Sequence, residues 1–251
     1  MTYTNGGLSA HAHAFLVSGS FLTRLFPART ADTATMAAAV AWFPAVGLVL
    51  GAVCVLPFAL GLAHGHASIQ GWLYAGLYFW LTRGLHWDGW SDLLDAWGSC
   101  ATGDRFWDIM KDSRVGAFGV MGLVLGLTGQ MQLVSTLVDA GHWLALAWAP
   151  MAGRAAIIVL AGNVPAGPRS TLGRLTTAGA TSAVQAAAAA TTIVAGLLLA
   201  GPRAVLVALP MVGIVLLGLA RLGRREGGIN GDFMGAGIVS TELLVMLACL
   251  L

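Results

Sequence analysis

The sequence predicts an all-α, polytopic integral membrane bundle of about seven transmembrane helices, preceded by an N-terminal helix that lies in the interface or re-enters the membrane. Three observations carry this reading. Hydrophobic residues make up 57% of the 251 and charged residues only 10%, where soluble domains carry about 25% charged; mean hydropathy is +0.80. Seven apolar runs reach the roughly 17–25 residues that a helix needs to cross a bilayer. The basic residues gather on one side of those runs. A net charge of +2 without any Lys/Arg-rich stretch gives no footing for nucleic acid, so the expected macroscopic partner is the lipid bilayer.

Taken in order, residues 8–26 are a mixed apolar segment with His11, His13 and Arg24, halted by Pro27. They supply the interfacial or re-entrant helix. No basic stretch precedes the first apolar run and no cleavage site follows it, so no removable signal peptide is expected. The expected spans are 37–62, 69–85, 116–138, 143–162, 182–201, 204–220 and 233–251. Gly47-x-x-x-Gly51 in the first and Gly122-x-x-x-Gly126 in the third allow close helix approach, read here as packing within one subunit rather than a dimer motif. The alanine run 186–190 is helix filler. No internal repeat is visible, and so no hint of the inverted halves common in transporters. Cys54 and Cys249 lie in apolar runs as small core residues, and Cys100 has no ligating neighbours, so no disulfide framework is expected. Arg154 in the fourth span and Glu242 in the last are ionisable groups inside the membrane; they either pair structurally or line a polar cavity.

With the N-terminus inside, 11 of the 13 basic residues fall on the inner side: Arg24, Arg29, Arg83, Arg105, Lys111, Arg114, Arg169, Arg174, Arg221, Arg224 and Arg225. Arg203 is left outside and Arg154 within a span. The long connections, near 86–115, 163–181 and 221–232, are inner ones too, while His64, His66 and His142 sit at short outer turns and read as solvated. The sequence therefore predicts one membrane domain, 1–251, whose chemistry sits in a cytoplasmic segment at about 86–115.

That segment holds Asp88, Asp92, Asp95, Asp104, Asp108 and Asp112, six of the chain's 11 acidic residues. Carboxylates so concentrated in an otherwise nearly uncharged chain point to chemistry. On a helix, Asp88, Asp92 and Asp95 fall within about 60° on one face. Three like charges repel unless a cation lies between them, and oxygen ligands without clustered His or Cys suit Mg²⁺ or Mn²⁺. Asp108 and Asp112 repeat the four-residue spacing on a second short helix, with Asp104 as its expected N-cap. Lys111 and Arg114 supply positive charge for phosphate oxygens, and Gly116 and Gly119 let backbone and ligand approach closely. The pattern suits metal-assisted displacement on a phosphoanhydride. The plainer alternative is a solvated loop with ion pairs such as Asp108 to Lys111 or Arg105. It serves the 104–114 stretch but not the first trio, whose face carries no basic partner. A lone histidine such as His86 is more often structural than catalytic, with function slightly favoured here. The stretch Gly227-Gly228-Ile229-Asn230-Gly231-Asp232 reads as a flexible inner loop, with Asp232 as helix N-cap and substrate contact.

These residues resemble a known family. GLHWDGWSDLLDAWG at 84–98 followed by DRFWDIMKDSRVGAFG at 104–119 looks like the signature of cobalamin synthase, the adenosylcobinamide-GDP ribazoletransferases. FLTRLFPAR, WFPAVGLVLGA and GGINGDFMGA agree in order and position, so the resemblance runs across the whole chain. It implies a multi-pass inner-membrane enzyme, bacterial or archaeal, with its active site facing the cytoplasm and with Mg²⁺ as cofactor. The implied reaction joins α-ribazole, or its 5′-phosphate, to adenosylcobinamide-GDP and releases GMP. By position, His86, Asp88, Gly89, Asp92 and Asp95 fill the family's HxDGxxDxxD pattern; Lys111, Asp112, Ser113, Arg114, Gly116 and Gly119 match its second motif, and Gly228, Gly231 and Asp232 its third. Ala96 stands where glycine commonly follows the third Asp, Asp108 where glutamate is frequent, and Trp87 and Trp90 are bulkier than the usual aliphatics. No carboxylate is lost, so the departures bear on loop geometry rather than activity.

The expected roles follow. Asp88, Asp92 and Asp95 hold Mg²⁺, with Asp112 completing the site or acting as base. His86 contributes to catalysis, and Lys111, Ser113, Arg114, Gly116, Gly231 and Asp232 contact substrate. A CDP-alcohol phosphotransferase is the second reading, disfavoured because no Ala-Arg pair follows the DG. An ion transporter is the third, disfavoured because only Glu242 lies near mid-membrane. Oligomeric state is left open, a homo-oligomer included.

Overall fold

The structure, a computed structural model, describes residues 8–167 and 170–251. Twelve α-helices and no strands are found among the described residues. The N-terminal helix α1 (Leu8–Leu22) stops ahead of Pro27 as expected, and α2 (Thr33–Ala39) starts on an Asp32 cap whose side chain accepts from Thr35 N–H. A single 3-10 turn, Val40–Trp42, joins α2 to α3 (Phe43–Ala59). Then come α4 (Ala67–Thr82), α5 (Leu85–Gly98), α6 (Asp104–Ile109), α7 (Ala117–Asp139), α8 (Trp143–Asn163), α9 (Thr171–Gly179), α10 (Ser182–Leu199), α11 (Pro202–Arg225) and α12 (Gly231–Ala248).

Among the described residues, six segments are long and apolar enough to cross a membrane: 33–59, α7, α8, α10, α11 and α12. They coincide with six of the seven expected spans, and the chain is a multi-pass membrane protein. The seventh, α4, is a 16-residue helix, about 24 Å at 1.5 Å per residue and so shorter than a full crossing. The expected end of the first span at 62 moves back to Ala59, because the chain turns there through left-handed Gly61 (φ 97°) and Ala63 (φ 52°). The sixth runs on past 220 to Arg225, whose last turn carries Arg224 and Arg225 where the helix dipole favours cations. Arg169, counted on the inner side, lies outside the described residues.

The hub is α8, buried nearly all round between α3, α10 and α12. Gly47 and Gly51 of α3 face it: a Cβ on Gly51 would stand 2.6 Å from Ala147 O, so the motif packs helices within one subunit. Gly122 and Gly126 do the same for α7 against Leu94, Trp90 and Trp87 of α5. Pro150 has no N–H for the Leu146 carbonyl, and Tyr74 Oη donates to that carbonyl at 3.4 Å. Arg154 and Glu242 pair at 2.6 Å, fully buried. Of the two readings open for them, pairing is the one realised.

The connections that follow α5, α8 and α11 knit together. Ile229 N–H donates to Pro165 O (2.9 Å) and Gly167 N–H to Ile229 O (2.7 Å). Gly228, at φ 142°, lies so close to Gly167 that no side chain fits. Glu226, buried, takes Gly103 N–H on Oε2 (2.8 Å), and its carbonyl takes Trp107 Nε1–H (2.9 Å). The 227–230 stretch is thus pinned by paired backbone groups, and the expectation of a flexible loop is corrected.

Candidate active site

The site starts at a corner. Arg83 (φ 60°) and Gly84 (φ 70°) are both left-handed, so α4 ends and α5 begins at once on a new axis. Arg83 Nη2 bonds the Phe21 carbonyl, tying the corner to the end of α1. Helix α5 buries His86, Trp87, Gly89, Leu93 and Ala96 against its neighbours, chiefly α12 and α7. Its acidic face remains, with Asp88 exposed and Asp92 and Asp95 half-buried. The helix expected from the Asp spacing is there.

Two glycines bring a fourth carboxylate to this face. A Cβ on Gly89 would lie 2.7 Å from Asp232 Cα, and one on Gly235 would lie 3.0 Å from His86 O. The axes of α5 and α12 therefore approach as only glycine allows, and the first turn of α12 lands beside Asp88 and Asp92. Asn230, not Asp232 as expected, caps α12: its Oδ1 accepts from Asp232 and Phe233 N–H at 3.2 Å each. Its Nδ2 donates to Asp232 Oδ2 at 2.6 Å and fixes that carboxylate.

The ion pairs among the described residues lie elsewhere, at Arg114–Asp112, Arg154–Glu242 and Arg225–Glu226. Negative charge on the α5 face goes uncompensated. Burial first, then Asp88, Asp232 and Asp95, push the Asp92 carboxyl up to about 7. No group of three His, Cys, Asp or Glu side chains among the described residues is already gathered to hold a metal ion. The fit to Mg²⁺ therefore rests on charge and on oxygen ligands: Asp88, Asp92 and Asp232 together favour a hard cation, and Asp92 would shed its proton on meeting one.

Asp95 has a task the sequence did not reveal. Its Oδ2 accepts from Gly116 N–H and its Oδ1 from Gly119 N–H, both at 2.7 Å, so it caps α7 from a neighbouring helix. Those two glycines let Asp95 approach, since a Cβ on Gly116 would stand 2.5 Å from Asp95 Oδ1. Each oxygen keeps a further lone pair. Asp112 does not join Asp88 and Asp92. The second helix ends at Ile109, so Asp108 and Asp112 share no helix face, and Gly103 rather than Asp104 is the N-cap, without a side-chain bond. Asp112 instead takes Arg114 Nη2 at 2.7 Å and Nε at 3.0 Å, and these bonds hold its carboxyl down at about 2. Asp95, Asp112, Arg114 and Gly116 line one cavity of about 440 Å³. Lys111 and Ser113 are exposed beside it, and neither Arg105 nor Lys111 pairs with Asp108 among the described residues.

Behind the acidic face, Arg154 Nη2 lies 3.1 Å from His86 Nε2. Arginine only donates, so Nε2 accepts and the imidazole proton sits on Nδ1. Burial and then the guanidinium hold the His86 pKa well below the ordinary range. Arg154 Nη1 also meets Glu242 (2.6 Å) and Tyr78 Oη (3.1 Å), and Tyr78 donates to Glu242 at 2.5 Å. The sequence offered Arg154 and Glu242 as a possible pair and His86 by itself; only the fold shows that they form one chain ending at α5.

Two cavities meet at Asp88. One of about 120 Å³ is lined by His86, Asp88, Thr176 and Asp232 together with apolar residues such as Phe43, Ile157 and Ile238. The wider one, about 480 Å³, is lined by Phe79, Arg83, Trp87, Asp88, Ser91 and Leu123.

Comparison with known proteins adds to this geometry. Residues 14–250 match the family described as cobalamin-5-phosphate synthase. The chain is 55% identical to an adenosylcobinamide-GDP ribazoletransferase of Nitratidesulfovibrio vulgaris (strain DSM 19637 / Miyazaki F), over 97% of each chain. It is 36% identical to one from Novosphingobium aromaticivorans over 93% of this chain and 95% of the relative, and 32% identical to one from Brevibacillus brevis over 94% and 96%. No solved structure matches.

Proposed function

The chain belongs to the cobalamin-5-phosphate synthase family, and from that premise we propose that the acidic face of α5 is where it performs the reaction its relatives are named for. The enzyme transfers α-ribazole, or its 5′-phosphate, to adenosylcobinamide-GDP, a late step of cobalamin biosynthesis. A ribose hydroxyl oxygen bonds to the phosphorus attached to cobinamide, the phosphoanhydride bond breaks, GMP leaves, and the hydroxyl proton passes to a carboxylate.

The observation that carries the assignment is the gathering of Asp88, Asp92 and Asp232 with no ion-pair partner among the described residues; burial first, and these like charges after it, push Asp92 up to about 7. Asp88 and Asp92 would hold Mg²⁺, with Asp232 or the spare lone pairs of Asp95 completing the set. Bound there, the ion would neutralise the diphosphate and the charge growing on the leaving group. Asp232, one oxygen fixed by Asn230 and the other free, suits the proton-accepting role better than Asp112, whose low pKa and arginine partner make it a poor base. Arg83 beside Asp88, with Arg114 and Lys111 at the neighbouring cavity, supplies positive charge for phosphate oxygens. His86, neutral and bonded to Arg154, orients α5 rather than moving protons. The inner membrane and a cytoplasmic site fit the arginine-rich ends of the spans on the side where α5 lies.

Asp88→Asn tests the assignment. GMP release from adenosylcobinamide-GDP and α-ribazole phosphate should fall by about 10³ or more, as for loss of a residue acting only in the transition state. The melting temperature should hold. Near-normal turnover would remove Asp88 from the site.

A further inference from the structure

We infer that the 120 Å³ cavity at Asp88 is the seat of the acceptor nucleoside's base, while the wider cleft that also reaches Asp88 takes the nucleotide end of the donor. The inference rests on the reaction proposed above and adds where each substrate lies.

Displacement at phosphorus places attacking and leaving oxygens roughly in line, on opposite sides of the reacting atom. Two substrates must therefore reach the acidic face from two sides. Asp88 is the carboxylate that lines both cavities, at about 120 and 480 Å³. The smaller has room for a flat ring system and none for a corrin macrocycle, being well below the roughly 300–1,000 Å³ of ordinary ligand pockets. Asp88, Asp232 and His86 offer polar groups for ribose hydroxyls, Thr176 spends its hydroxyl on the Leu172 carbonyl, and most of the remaining lining is apolar, Phe43, Ile157 and Ile238 among it. A guanine there would leave the donors and acceptors of its edge unpaired, at about 1–3 kcal/mol each. The base of α-ribazole, with one acceptor nitrogen and no donor, would leave far less unpaired. The wider cleft has what a diphosphate needs, Arg83 with guanidinium donors to spare and the buried, unpartnered hydroxyl of Ser91.

The test is equilibrium binding of α-ribazole to the full-length protein in detergent without donor, followed by the separate KM values of the two substrates. Ile238→Phe fills the cavity, and Leu172→Trp narrows it from a half-buried position where folding is less at risk. Each should weaken α-ribazole binding and raise its KM by about tenfold or more, with the donor's KM held within about twofold. Leu123→Ala, in the wider cleft, should move the donor's KM alone. Displacement of α-ribazole by GMP, or equal shifts in both KM values, would overturn the inference. Wild-type protein that binds α-ribazole in this pattern but releases no GMP would uphold the cavity assignment and sink the proposed reaction instead.

Discussion

Asp92→Asn separates stability from catalysis, because the carboxylate it removes is one the fold resists charging. In the unfolded chain Asp92 ionises near 3.8, in the folded protein near 7. Below 3.8 it is protonated in both states and contributes nothing to their difference. Between 3.8 and 7 only the unfolded chain ionises, so stability falls with each pH step; above 7 the loss is constant. At about 1.4 kcal/mol per pH unit the ceiling is about 4 kcal/mol. Asp92 is only half-buried, and solvent screening brings this to about 1–2 kcal/mol. The metal-free Asp92→Asn variant should therefore be more stable than wild type at pH 8 by that amount, about 2–8 °C in a thermal melt in detergent, and equal to it at about pH 3. Mg²⁺ should stabilise the wild type at pH 8 and the variant little, and the variant should not turn over. A variant that melts lower than wild type at pH 8, or repeats its pH dependence, would refute the claim that uncompensated charge defines this site.

Three further substitutions test the supports of α5. Arg154→Met leaves Glu242 buried without its partner and should cost about 3–5 kcal/mol; adding Glu242→Gln should restore much of this in the same unfolding assay. Asp95→Ala removes both acceptors from the start of α7, should cost about 2–3 kcal/mol, and should speed hydrogen exchange at Gly116 and Gly119.

The spans were legible because apolar length alone specifies them, and six of seven appear as helices sufficient to cross a membrane. The acidic face of α5 was legible for a similar reason: period 3.6 puts Asp88, Asp92 and Asp95 together whatever surrounds them. What the spacing hid is non-local. Nothing near Asp95 in sequence says that Gly116 and Gly119 will occupy its oxygens, and only the glycine contact between α5 and α12 brings Asp232 across to Asp88. The second helix was read at least three residues too long, because the Asp108-to-Asp112 spacing looks helical while Asp112 folds back onto Arg114 in a local turn. Arg154 and Glu242 were visible as costly charges, but their common tie to Tyr78 and His86 needs three helices and α5 in place.

The most direct test of the central claim is GMP release by the purified wild-type protein given adenosylcobinamide-GDP and α-ribazole phosphate, with Mg²⁺ and then with EDTA. Release that needs Mg²⁺, stops with EDTA, returns on adding the ion back and yields a corrinoid carrying the ribazole is the predicted result. Undiminished release in EDTA would contradict a metal-dependent carboxylate site on α5.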